Sequence, residues 1–234
     1  MSNHYVSSWK LYKSQHQDIN FDFDYYLDLC KGSRTLELFA GFGRLTNYLI
    51  MQKVDIETVE LEPNFAKYIQ LPQEKNHICN VLDFNPIGKF NRIIAAYNSF
   101  CLFTKTDETF LFFKKIDSWL EKDGIVSLSY FHPDYWERYA GEKDHFDHEG
   151  DIIEHHSECD LTKRNNELGI WIDIYIHADK ELRYEYPTRI YESTESLASF
   201  LKGTSLKIID VLYDYDKPNP QYPGWIEFVL KKTI

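Results

Sequence analysis

From Thr35 onward, short apolar runs alternate with stretches in which apolar residues recur at helical spacing, the pattern of strand, crossover helix and parallel strand repeated. The predicted fold class is α/β. Thr35 to Phe39 reads as the first strand and Arg44 to Gln52 as the helix after it, with Leu45, Tyr48 and Leu49 on one face. Glu57 to Leu61 gives the second strand, and Pro63 opens the next helix, where its missing N–H costs nothing. His77 to Val81, Arg92 to Ala96 and Ile125 to Tyr130 give strands three to five. A long helix from Asp107 to Leu120, ended by Asp123-Gly124, separates the last two.

After Pro133 the rhythm changes. Ile170, Ile172, Ile174 and Ile176 alternate with Trp171, Asp173, Tyr175 and His177, which is period two and describes a strand buried on one face. Arg183 to Tyr191 continues with bulky strand formers, and Ile152 to Cys159 offers a third partner. Strands without crossover helices pair antiparallel, so a small β insertion is expected over residues 134–192. A helix from Glu195 to Lys202, stopped by Gly203, leads to strands at Leu206 to Tyr213 and Ile226 to Leu230, which are expected to close the main sheet as an antiparallel edge.

Composition narrows the function. The 234 residues carry a formal net charge of −11, which disfavours bulk nucleic-acid binding, since affinity for phosphate backbones comes from cations that displace counterions. The length suits one large domain or a domain with a sizeable insertion. Aromatic residues, 17 Tyr, 16 Phe and 5 Trp, supply packing area and π-faces able to hold a cationic ligand. The opening Met1 to Val6 has no cationic patch before an apolar run, and no stretch approaches a membrane span, so a soluble, cytoplasmic protein without membrane partners is expected. Cys30, Cys79, Cys101 and Cys159 are scattered without a CxxC pair and read as buried free thiols.

The informative segment is Leu36-Glu37-Leu38-Phe39-Ala40-Gly41-Phe42-Gly43-Arg44, at a strand-to-helix turn. Glycines there let the backbone pass close to a ligand at the carboxyl edge of the sheet. In a GxGxxG dinucleotide turn the third glycine after Gly41 and Gly43 would fall on Thr46, so close pyrophosphate approach is disfavoured. Glu60 ends the second strand in Val59-Glu60-Leu61-Glu62-Pro63, where a carboxylate can accept both hydroxyls of a ribose. Glycine turn plus ribose acid makes a nucleoside site.

On these residues the sequence resembles the class I S-adenosylmethionine-dependent methyltransferases, whose first strand ends in an acid-x-Gly-x-Gly-x-Gly turn and whose second ends in an acid. Glu37, Gly41, Gly43 and Glu60 match, while Phe39 stands where the first glycine usually lies. The resemblance, from about Tyr25 through Phe131-His132-Pro133-Asp134 to Tyr213-Asp214-Tyr215-Asp216, is to free-standing small-molecule enzymes with a β insertion before the last two strands. It implies a Rossmann-like, doubly wound, mostly parallel seven-stranded sheet with an antiparallel last strand. The core would span residues 1–133 and 193–234, with residues 1–34 as N-terminal lid and helix, and residues 134–192 would shape the acceptor site.

The resemblance further implies S-adenosyl-L-methionine as cofactor, bound by Glu37, Phe39, Ala40, Gly41, Gly43, Glu60 and Leu61. In Cys79-Asn80-Val81-Leu82-Asp83-Phe84 it makes Asn80 the adenine N6 partner, Val81 a backbone contact and Asp83 a second candidate. The backbone near Ala96 would hold the methionyl amine, and Tyr97 and Asn98 would face the acceptor. Tyr12, in the lid, joins the cofactor set.

The sulfonium methyl is already activated, so the chain must align an acceptor in line and keep water away. His132, ending strand five on the ligand edge, is the candidate base where the acceptor arrives protonated. Tyr97 and Tyr130 are candidates for an aromatic wall around the sulfur, and Asn98, Tyr130 and His132 form the expected acceptor set. The run Asp144 to Asp151, with His145-x-x-His148, followed by His155-His156, has metal-ligand chemistry but no fixed ligand pattern. No metal is expected; the run reads as a charged insertion loop, and one of its histidines is an alternative acceptor contact.

The expected activity is therefore methyl transfer to nitrogen or oxygen of a small molecule. A macromolecule methyltransferase is the alternative: the adenine-N6 and glutamine enzymes place Asn/Asp-Pro-Pro-aromatic after strand four, whereas Asn98 is followed by Ser99-Phe100. A non-catalytic module that binds S-adenosylmethionine is the other. Cofactor motifs say nothing of the acceptor side, so product formation separates it from an enzyme.

Overall fold

The computed structural model describes residues 4–162, 167–178, 180–216 and 224–233. Helices α1 (His4–His16) and α2 (Phe23–Cys30) precede β1 (Arg34–Leu38), α3 (Arg44–Met51), β2 (Asp55–Glu60), the single turn α4 (Pro63–Ala66) and β3 (Asn76–Ile78). The chain continues through β4 (Phe90–Ala95), α5 (Thr106–Trp119), β5 (Leu120–Phe131) and α6 (Trp136–Tyr139). Four strands follow: β6 (Lys143–His148), β7 (Asp151–Asp160), β8 (Leu168–His177) and β9 (Lys180–Arg189). The last elements are α7 (Thr194–Phe200), β10 (Leu206–Tyr213) and β11 (Trp225–Lys232).

The main sheet has seven strands in the order β3-β2-β1-β4-β5-β11-β10. Only β11 runs against its neighbours, pairing antiparallel with both β5 and β10. The expected antiparallel last strand is present, but it lies inside the sheet, and the edge belongs to β10 alone. Period-two side chains feed two cores. Leu36, Leu38, Ile93, Val126 and Leu128 face Phe112, Phe113 and Ile116 of α5 and Leu197 of α7. On the other side Ile56 and Ile94 pack with Tyr26 and Cys30 of α2 and Leu45 and Leu49 of α3. Helices on both faces define the doubly wound architecture.

One carboxylate is buried beneath α2. Glu227 of β11 accepts the hydroxyls of Tyr26, at 3.1 Å, and Ser127. Burial outweighs these hydrogen bonds and pushes its pKa up to about 8.

The insertion is an antiparallel sheet of four strands, β6-β7-β8-β9. Three were expected. The fourth, β6, is the Lys-Asp-His-Phe-Asp-His run that reads as a charged loop, because an edge strand needs no apolar alternation when its backbone pairs with β7. The structure also moves the cysteine expectation: all four are free thiols, but only Cys30 and Cys101 are buried, while Cys79 and Cys159 are half-buried. Among the described residues no helix is long and apolar enough to cross a membrane.

Candidate active site

The turn after β1 is built from left-handed backbone. Phe39, Gly41 and Gly43 have φ of +58°, +57° and +79°. The position held by glycine in the resembled motif thus keeps its left-handed geometry with Phe39, whose ring packs against Phe103 and Phe112. A Cβ on Gly43 would stand 2.8 Å from Ile69 Cγ1, so this glycine serves packing of the turn onto the segment after α4. A Cβ on Gly41 would meet nothing within 4 Å, leaving an open approach to the backbone there.

Glu60 closes this crevice. Its Oε2 accepts the Gly41 N–H at 2.7 Å and its Oε1 accepts the Glu62 N–H at 2.7 Å. Burial raises its pKa, against the pull of the backbone N–H groups of Glu62, Gly41 and Leu61. The carboxylate keeps acceptor capacity beyond these backbone bonds for a ligand hydroxyl. Leu61, next in sequence, is 46% exposed beside it. Ala40 is buried in the turn, and its carbonyl accepts the Gly43 N–H at 3.0 Å. Glu37 lies deeper: its Oε2 accepts the Thr46 hydroxyl at 2.6 Å, and burial pushes its pKa up to about 7 despite that bond. Glu37 therefore braces the turn onto α3. Beyond β3, Asn80 caps the turn Val81–Asp83 by accepting the Leu82 N–H at 2.9 Å; Val81 is buried and Asp83 exposed.

At the tip of β4, following the buried Ala96, Tyr97 and Asn98 both have φ of +59°, a sparsely populated conformation for residues with side chains. Three contacts hold it. Asn98 Oδ1 accepts the Phe131 N–H at 3.1 Å, the Ser99 hydroxyl donates to the Ala96 carbonyl at 2.8 Å, and the Tyr97 ring packs 5.0 Å from that of Trp225.

This tip forms one wall of a cavity of about 280 Å3 closed by α1 and the four-stranded sheet. Tyr12 and His16 reach it from α1, Phe131 and Trp225 from the main sheet, and Trp171 and Asp173 from β8. Tyr12 stacks on His16 at 4.1 Å and leans on Phe65 of α4 at 5.7 Å, so α1 touches both the nucleoside-type crevice and the cavity. Burial pulls the pKa of His16 down to about 4, although its Nδ1 bonds the Tyr12 carbonyl at 2.8 Å.

Among the described residues Asp173 is the one carboxylate of this wall. Its Oδ1 accepts the Trp171 indole N–H at 2.9 Å, the Ser157 hydroxyl at 3.0 Å and the His155 Nε2–H at 3.3 Å. His155, which also lines the cavity, bonds Asp144 through Nδ1 at 2.9 Å, with the Gln15 amide at the same distance. Burial works against its charge, but the two carboxylates prevail and push its pKa up to about 9.

Of the expected acceptor and catalytic residues, Tyr97 and Asn98 line the cavity and Tyr130 and His132 do not. Strand parity is the reason. Phe131 turns into the cavity, so Tyr130 turns to the opposite core, where its hydroxyl accepts the Tyr191 N–H at 3.0 Å. His132 packs edge-on to Tyr130, and its Nδ1 accepts the Asp134 N–H at 3.2 Å. The spacing of His145 and His148 on β6 sends the two rings to opposite faces; one pairs with Glu154 at 3.7 Å and the other bonds Ser14 at 2.9 Å. No group of three His, Cys, Asp or Glu residues among those described is placed to hold a metal ion. Asp173, Trp171 and His16 were not singled out by sequence. The available signal was the lone acid on the Trp171-Asp173-Tyr175 face of a strand whose other face is isoleucine.

Strand order, the left-handed turn after β1 and the acid ending β2 together decide the architecture. The chain has the class I S-adenosylmethionine-dependent methyltransferase fold. An S-adenosylmethionine-dependent methyltransferase of Clostridium acetobutylicum superposes with a TM-score of 0.73 at 18% identity, over 99% of this chain and 100% of the other. A sugar N-methyltransferase of Streptoalloteichus gives 0.73 at 16% identity, over 96% and 92%. An amino pentose methyltransferase of Micromonospora echinaspora, solved with S-adenosylmethionine bound, gives 0.67 at 14% identity, over 98% and 94%. No protein-family model and no curated protein sequence matches the chain. Within this methyltransferase fold the Glu60 crevice lies where open α/β sheets bind ligands, at the carboxyl ends of the first strands.

Proposed function

We propose that the protein is an S-adenosylmethionine-dependent methyltransferase that methylates a nitrogen of a small-molecule amine. The observation that carries this reading is the adjacency of two sites under one helix: the Gly41–Glu60 crevice and the aromatic cavity holding Asp173, joined by Tyr12. The crevice fits the nucleoside. Gly41 is open toward it, Glu60 retains acceptor capacity for ribose hydroxyls, and exposed Leu61 offers an apolar face to a base. The turn capped by Asn80, with Val81 and Asp83, is assigned to the adenine end, and the backbone near Ala96 to the methionyl end.

S-adenosylmethionine supplies a methyl group already activated on sulfur. The chain's own residues bind, orient and exclude water. Tyr12, Tyr97, Phe131, Trp171 and Trp225 line the acceptor space with rings, which stabilise positive charge. The acceptor ammonium gives one proton to solvent; the lone pair so freed forms the N–C bond as the C–S bond breaks, that bond's electron pair stays on sulfur, and the product is the methylated ammonium. Among the structures sharing the fold, one is a sugar N-methyltransferase and another acts on an amino pentose, which supports nitrogen as the acceptor. The net charge of −11 speaks against a nucleic-acid substrate. Residues 134–192 are assigned to the acceptor pocket, and α1 to its cover.

The test is transfer of labelled methyl from S-adenosylmethionine to amino sugars, amino acids and simple amines, beside their hydroxy analogues. Methylated amines are expected. Silence across the panel with intact S-adenosylmethionine binding would identify a binding module instead.

A further inference from the structure

We propose that Asp173 is the specificity-determining residue of the acceptor site, selecting compounds with a positively charged amine by taking an N–H on its Oδ2. The inference deepens the methyltransferase reading and rests on it.

The argument starts from the division of labour between the two carboxylate oxygens. Oδ1 is saturated by Trp171, Ser157 and His155. Oδ2 takes no hydrogen bond from any described residue, and the side chain, 11% exposed, borders the cavity. A carboxylate fixed by three donors on one oxygen cannot swing away, so the other oxygen is a stationary acceptor.

Charge bookkeeping points the same way. His155 sits between Asp144 and Asp173, so the trio carries one net negative charge when the imidazole is protonated. Burial keeps His16 on the same wall neutral and holds the hydroxyls of Tyr12 and Tyr97 protonated. Arg44, which lies 5.6 Å from the Tyr97 ring, is already paired through both terminal nitrogens with Asp22 at 2.6 Å. Oδ2 of Asp173 is therefore the anionic atom this wall presents, surrounded by the faces and edges of aromatic rings, with His155 engaged on Oδ1. That surrounding favours a monocation and gives an uncharged isostere nothing in exchange. The bound ammonium gives one proton to solvent before its lone pair attacks, and the methylated product is again an ammonium, so Asp173 meets a cation on either side of the step.

Cyclohexylamine and cyclohexanol are a matched pair of probes, differing in charge but hardly in shape. Calorimetry at neutral pH, with S-adenosylhomocysteine present and again without it, is expected to show the amine binding at least about tenfold more tightly than the alcohol. Asp173→Asn should reduce the amine to the level of the alcohol while leaving S-adenosylhomocysteine affinity within about twofold, which also reports that the variant folds. Equal affinity for the two probes, or full amine affinity in Asp173→Asn, would overturn the proposal. Failure of the wild-type chain to bind S-adenosylhomocysteine would strike the methyltransferase reading instead, and the titrations without it would still decide the role of Asp173.

Discussion

The backbone N–H of Gly41 and the carboxylate of Glu60 meet at 2.7 Å, tying the turn after the first strand to the tip of the second. One buried acid thus fixes the width of the crevice between two adjacent parallel strands. The same acid is the expected partner of the ribose.

Glu60→Ala is expected to lower S-adenosylmethionine affinity by about 100-fold, the loss of two charge-assisted hydrogen bonds together with the brace on Gly41. Isothermal calorimetry measures it directly. Unchanged affinity would place the nucleoside elsewhere.

The two glycines of the turn should separate stability from binding. Gly43→Ala puts a Cβ at 2.8 Å from Ile69 on a backbone at φ +79°, and about 2 kcal/mol of stability should be lost in denaturant unfolding. Gly41→Ala, with open space around its Cβ, should cost only about 1 kcal/mol from its left-handed backbone, yet impair ligand affinity. Equal stability losses would refute the packing assignment of Gly43.

Glu227 sets a pH dependence. Its folded pKa, about 8, lies above the unfolded value of about 4.3, so the folded chain binds the extra proton between them. The stabilisation is complete below the unfolded value and is lost as pH rises toward 8; Glu37, raised to about 7, acts in the same direction. Glu227→Gln should therefore flatten the fall in melting temperature between about pH 5 and pH 8.5, gaining on the wild type by a few kcal/mol at the alkaline end. A gap between variant and wild type that stays constant with pH would contradict this.

The central sheet was readable because its inner strands are buried on both faces and bounded by turn residues, as β11 illustrates, where the expected Ile226 to Leu230 is buried throughout. The crevice was readable because Gly41, Gly43 and Glu60 lie within one β-α-β unit. The acceptor cavity was less so, since its walls come from α1, the β4 tip, β5, β8 and β11 and meet only in three dimensions. Tyr130 and His132 stand at the right end of the right strand, yet a single residue of parity gives the cavity to Phe131. The edge strand β6 carried one apolar residue, Phe146, and no alternation, because its pairing is made by backbone.

The paired left-handed residues Tyr97 and Asn98 are kept in place by the Phe131 amide, separated by 33 positions in sequence. Nothing local would maintain such a kink: an isolated peptide spanning it would relax into ordinary conformations. The shape of the acceptor wall is therefore inherited from completed strand assembly, and an incompletely assembled chain would present no formed receptor for a substrate.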